Sequence, residues 1–149
     1  MITKMVLDGI LFSEDAETLS TMDGVLDSFA IHTKVALSLK EAVALLEQQV
    51  FDIVFIDYKD KRAASSVVHA VHNSRLNRQA WMMAITDEGA AIQLAFAEGV
   101  QLSMPRVSSV DQGVRYLRPS YAFMSKRLRE PSPLSALNPG QISTSRSKR

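Results

Sequence analysis

The sequence predicts an α/β protein built on one doubly wound parallel sheet of five strands, with helices on both faces. Three observations carry this. Short β-like runs alternate five times with helical patterns along the chain. Two of those runs, Asp52-Ile53-Val54-Phe55-Ile56-Asp57 and Trp81-Met82-Met83-Ala84-Ile85-Thr86, are almost continuously apolar, as parallel strands buried on both faces are. A length of 149 residues, with 46% hydrophobic and 22% charged side chains, suits one soluble domain with a sizeable core.

The first strand is read at Gly9-Ile10-Leu11-Phe12-Ser13. Leu19, Met22, Leu26 and Phe29 then fall on one helical face of Asp15 to Phe29. Ile31, Thr33, Val35 and Leu37 alternate with more polar neighbours, as a half-buried or edge strand does. Ser38-Leu39-Lys40-Glu41 has the form of a capping box and opens a helix that buries Ala42, Leu45 and Leu46. After the strand ending at Asp57, a helix carries Val67, Val68 and Val71. After the strand ending at Thr86, Glu88 to Glu98 reads as a helix stopped by Gly99. Val100 to Ser103 is a short strand running into Met104-Pro105. A last helix is expected from Ser109 to Leu117.

The pattern changes at Arg118-Pro119. Residues 1–118 are expected to form the domain, 119–130 a short helical extension with Tyr121, Met124 and Leu128 on one face, and 131–149 a disordered basic tail. Charge divides in a similar way. Residues 1–125 carry 11 Lys and Arg against 15 Asp and Glu, whereas residues 126–149 carry six basic residues and only Glu130. The tail lacks interleaved aromatics, which argues against a nucleic-acid site. A nucleic-acid-associated adaptor is therefore kept only as an alternative of another class.

No cysteine is present, so disulfides and thiolate metal sites are excluded. No apolar run reaches the roughly 18 residues of a membrane span, and no leader pattern opens the chain, so no membrane partner and a cytoplasmic location are expected. His32, His69 and His72 are too scattered for a metal site and are read as structural or exposed.

In an open parallel sheet, ligands bind outside the carboxyl ends of the strands. Glu14 and Asp15 follow the first strand, Asp57 ends the third, Thr86 ends the fourth, and Met104-Pro105 end the fifth. Three carboxylates on neighbouring strands repel unless a cation or a proton neutralises them. Oxygen ligands of this kind suit Mg²⁺. Asp57→Asn should on that reading relieve repulsion and raise stability. No glycine-rich phosphate loop follows the first strand, where Ser13-Glu14-Asp15-Ala16-Glu17 is acidic, and no enzyme is expected.

Four short motifs in this order resemble the receiver domain of two-component response regulators. They are Ile10-Leu11-Phe12-Ser13-Glu14-Asp15, the run ending in Asp57, Ala84-Ile85-Thr86 and Met104-Pro105. The resemblance spans roughly residues 8–117 and implies a flavodoxin-like (βα)5 sheet of strand order 2-1-3-4-5. It implies Mg²⁺ held by Glu14, Asp15 and Asp57, Asp57 as phosphoacceptor and Thr86 as the hydroxyl facing the phosphoryl group. Met104 stands where that family has a lysine, and Gln101 where it often has an aromatic. Lys59, Lys61 and Arg62, in the loop after Asp57, are candidates to supply the lost charge. These departures favour a pseudo-receiver, a module of a phosphorelay pathway that acts by protein–protein interaction with an impaired or absent switch. The alternative is a working receiver phosphorylated on Asp57 with Mg²⁺. The partners implied are a histidine kinase or an output protein, with a homodimer through residues 88–129 as a further option. Met104→Lys should restore the switch. Tyr116, Tyr121, Phe123 and Met124 are expected either to form an interface or to pack the last helix on the domain.

Overall fold

A computed structural model describes residues 6–129. The elements are β1 (Leu7–Phe12), α1 (Ala16–Asp27), β2 (Ile31–Ala36), α2 (Leu39–Gln48), β3 (Ile53–Asp57), α3 (Lys61–Asn73), β4 (Trp81–Thr86), α4 (Gly89–Ala97), β5 (Leu102–Pro105) and α5 (Val110–Arg129). All strand pairings are parallel, and the sheet order is β2-β1-β3-β4-β5. The expected fold class and order are those observed.

Strand alternation divides the core between the two faces of the sheet. Ile10, Phe12, Val54, Ile56, Met82 and Ala84 pack with α2, α3 and α4. Leu11, Ile53, Phe55, Met83, Ile85 and Met104 pack with α1 and α5. The helix starts follow the local chemistry of their caps. Asp15 caps α1 by accepting from the Thr18 amide, Ser38 caps α2 through the Glu41 amide, and Asp60 caps α3 through the Ala63 amide. At the end of α4, Gly99 takes φ +100°, and the Val100 amide returns to the Ala95 carbonyl at 3.0 Å. That closing turn is why β5 starts at Leu102, two residues later than the sequence pattern suggests.

The larger difference lies in α5. It runs unbroken through Arg118 and Pro119 to Arg129, where the sequence suggests a helix ending at Leu117 and a separate extension. Proline removes one backbone donor and crowds the preceding turn, a cost of about 3 kcal/mol. Packing on both sides of it offsets that cost. Leu117 and Met124 are fully buried, Tyr121 lies 4.8 Å from the Phe29 ring, and Phe123 meets Trp81 edge-on at 5.6 Å. Met124 is thus part of the core and the partly buried Tyr121 packs against it, while Tyr116 and Phe123 stay about half exposed. The segment 131–149, expected to be a disordered basic tail, lies outside the described residues. Among the described residues, no helix is long and apolar enough to cross a membrane.

Candidate functional site

The carboxyl ends of β1, β3, β4 and β5 bring most of the expected residues to one place. Asp57 is the last residue of β3 and is 3% exposed. Its Oδ2 accepts from the Ser13 hydroxyl at 2.7 Å, and its Oδ1 accepts from the Lys59 amide at 2.9 Å. The same Oδ1 pairs with Nη2 of Arg106. Both carboxylate oxygens are therefore engaged by the chain itself.

Arg106 is the residue that sequence reasoning missed. It follows Pro105 directly, and its amide donates to the Thr86 carbonyl at 2.9 Å, which anchors it where β4 and β5 end. Its guanidinium reaches Asp57, Asp87 (Nε to Oδ1, 2.7 Å) and the Thr18 hydroxyl (Nη1, 2.6 Å). Burial works against this charge, but the bonds to Asp57 and Asp87 outweigh it and hold the guanidinium protonated above its ordinary value. One side chain thus joins α1, β3 and the turn after β4. The signal in the sequence was a lone basic residue immediately after Met104-Pro105.

Met104 lies on the Asp57 face of the sheet, in register with it through Ile85. Its thioether, however, is 2% exposed and sits in the core beside α1 and α5. Gln101 spends its side-chain carbonyl on the Met82 amide at 2.8 Å, pairing with β4 just before β5 begins. Thr86 is 2% exposed, and its hydroxyl has no hydrogen-bond partner among the described residues.

Of the three basic residues expected in the loop after Asp57, Lys61 and Arg62 open α3, and only Lys59 faces the clustered acids. Its Nζ lies 3.0 Å from Oδ1 of Asp15, while Lys61 pairs with Glu88 at 2.7 Å. Arg62 lies instead along an open groove between α3 and α4, beside His69. The Thr18 hydroxyl, the Lys59 ammonium and the Thr18 amide together hold the Asp15 carboxyl well below the usual carboxylate range. Glu14 is exposed. The acids line a cavity of about 280 Å³ together with Phe12, Lys59 and Asp60.

This donor set does not fit Mg²⁺ as it is arranged. The ion requires near-octahedral oxygen ligands and keeps several waters. Here Oδ2 of Asp15 caps α1, Oδ1 of Asp15 holds Lys59, and both oxygens of Asp57 accept from protein donors. Among the described residues no three acidic or histidine side chains form a metal-holding group. His32, His69 and His72 are all exposed.

No family model and no curated protein matches this sequence. Solved structures do match. A response regulator receiver domain protein (CheY-like) from Methanospirillum hungatei JF-1 is 12% identical, with a TM-score of 0.66 over 82% of this chain and 98% of that one. The chemotaxis response regulator CheY4 of Vibrio cholerae is 14% identical, with a TM-score of 0.67 over 76% and 98%. The receiver domain of the sensor histidine kinase PA1611 from Pseudomonas aeruginosa PAO1 is 15% identical, with a TM-score of 0.63 over 76% and 95%. That last structure has a magnesium ion coordinated in its active site cleft. The class is therefore clear at the level of fold: this chain has the receiver-domain fold of two-component signalling proteins.

Proposed function

We propose that this chain is a receiver-like signalling module of a phosphorelay pathway that acts by binding a protein partner, with an impaired phosphorylation switch. The observation that carries the reading is the state of Asp57. Its Oδ1 accepts from the Lys59 amide and Arg106, its Oδ2 accepts from Ser13, which occupies three of about four lone-pair sites, and it is 3% exposed. A carboxylate nucleophile needs a free lone pair and an approach path for the phosphoryl donor. Both are restricted here. The missing lysine, by contrast, is no argument for impairment, because Arg106 returns a cation to the site.

A working receiver phosphorylated on Asp57, with Mg²⁺ at Glu14, Asp15 and Asp57, is the second reading. The unpartnered Thr86 hydroxyl and the Arg106 cation both favour it. A histidine kinase as phosphodonor, an output protein as target and a homodimer through residues 88–129 belong to these readings as partners. Incubation of the full chain with acetyl phosphate and Mg²⁺, followed by intact mass and by amide NMR, separates the two. The interaction-module reading expects no added phosphoryl mass. Stoichiometric addition, with shifts spreading through β5 and α5, would overturn it.

A further inference from the structure

We propose that Lys59 is the resident cation of the acidic cavity, and that its ammonium takes the place of a divalent metal beside Asp15. The proposal deepens the reading of the site as an impaired receiver and rests on that reading for its functional meaning.

The turn after β3 builds this arrangement from the backbone outward. The Tyr58 amide donates to the Ile85 carbonyl at 2.9 Å, and the Lys59 amide folds back onto Oδ1 of Asp57 at 2.9 Å. Asp60 then caps α3. With its backbone tied to one acid, Lys59 extends its side chain to the other, and Nζ stops 3.0 Å from Oδ1 of Asp15. One residue thus bridges the ends of β1 and β3, the two strands that supply the acids. The cavity wall holds Glu14, Asp15, Asp57 and Asp60 around this ammonium, and Arg106 pairs Asp57 alone among them, so the local field retains a cation there. Asp15 is itself pinned from behind by Thr18 at 2.7 Å and 3.0 Å, which leaves Oδ1 as its one outward ligand atom. A metal entering the cavity must displace the ammonium from that atom.

The division of labour with Arg106 follows from where each cation sits. Arg106 neutralises Asp57 from the β5 side, between Asp87 and Thr18. Lys59 neutralises Asp15 from the β3 side. Two side chains of this chain thus each pair one carboxylate of the cluster, Lys59 with Asp15 and Arg106 with Asp57.

The test is titration of the ¹⁵N-labelled full chain with MgCl₂, reading the amides of Glu14, Asp15 and Asp57. The wild type, Lys59→Met and Lys59→Arg are compared. Lys59 is largely exposed, so its variants keep the fold. The proposal expects no saturable Mg²⁺ shift in the wild type or in Lys59→Arg. It expects a saturable shift in Lys59→Met, with affinity greater by on the order of tenfold or more, because a unit charge a few ångströms away is removed. Saturable binding by the wild type equal to that of Lys59→Met would overturn the proposal, and so would absence of binding in Lys59→Met. Failure of the interaction-module reading shows separately, as phosphoryl mass on the wild type. If that mass appears without Mg²⁺, the interaction reading falls and Lys59 as resident cation stands.

Discussion

The ends of β3 and β5 face each other across β4, and they differ in how much of their chemistry is local. At β3 the functional group is the last residue of the strand. Asp57 is positioned by the strand pleat itself, on the same face as Ile53 and Phe55. At β5 the residue at the equivalent place, Met104, has become core, and the charge comes from Arg106, beyond the strand end. A short carboxylate must be placed by its own backbone. A long guanidinium can be delivered from a neighbouring loop and still meet the same atom. A site can therefore lose the expected residue at one position and keep the charge.

That contrast reverses one sequence-based expectation and weakens another. Because Arg106 compensates Asp57, the repulsion among the acids is not the controlling term, and removing an acid no longer relieves strain. The largest expected effect is that of Arg106→Met. It leaves Asp57 buried with only neutral donors, and stability should fall by about 3 kcal/mol in denaturant unfolding. Met104→Lys should follow, with a loss of about 2 kcal/mol, because it buries an ammonium in an apolar cluster whose nearby carboxylate is already paired. If Met104→Lys were instead stabilising, the space near Asp57 would be open and Arg106 only loosely held. Asp57→Asn should lower stability by about 1.5 kcal/mol rather than raise it, since the ion pair with Arg106 is lost and the amide nitrogen must face a donor that the carboxylate oxygen accepted from.

The smallest effect concerns acid. Asp15 titrates lower in the fold than in the unfolded chain, held down first by the Thr18 hydroxyl and then by Lys59. The unfolded chain therefore takes up the proton first on acidification. The stability from this carboxylate is whole above the unfolded value of about 3.9 and fades as pH falls through the lower folded value. Thermal melts of the wild type and Asp15→Asn should converge as pH drops below 4. Parallel curves would show that Asp15 gains nothing from its partners.

The strands and the residues ending them were legible in the sequence because each depends on short-range patterns, whereas the strand order came from the resemblance to receiver domains. Alternation places Asp57 and Thr86, continuous apolar runs mark β3 and β4, and a Ser-x-x-Glu pattern opens α2. What escaped depends on tertiary contact. The passage of α5 through Pro119 is decided by Met124 and Tyr121 finding the core, which the proline signal overrides in any local reading. The link from Arg106 to Asp57 spans 49 residues and depends on the path of the loop after β5. For the same reason the three clustered acids suggested a metal, while Arg106 as the partner of Asp57, and the pairing of Lys59 with Asp15, became visible only once the loops were placed.

The central claim is that Arg106 and Asp57 form one compensated unit. A double-mutant cycle on Arg106→Met and Asp57→Asn, read by urea unfolding, tests it most directly. The account predicts a coupling of about 1–3 kcal/mol, with the double variant clearly less destabilised than the two single losses added together. Additivity within about 0.5 kcal/mol would contradict it and leave Asp57 without its cation.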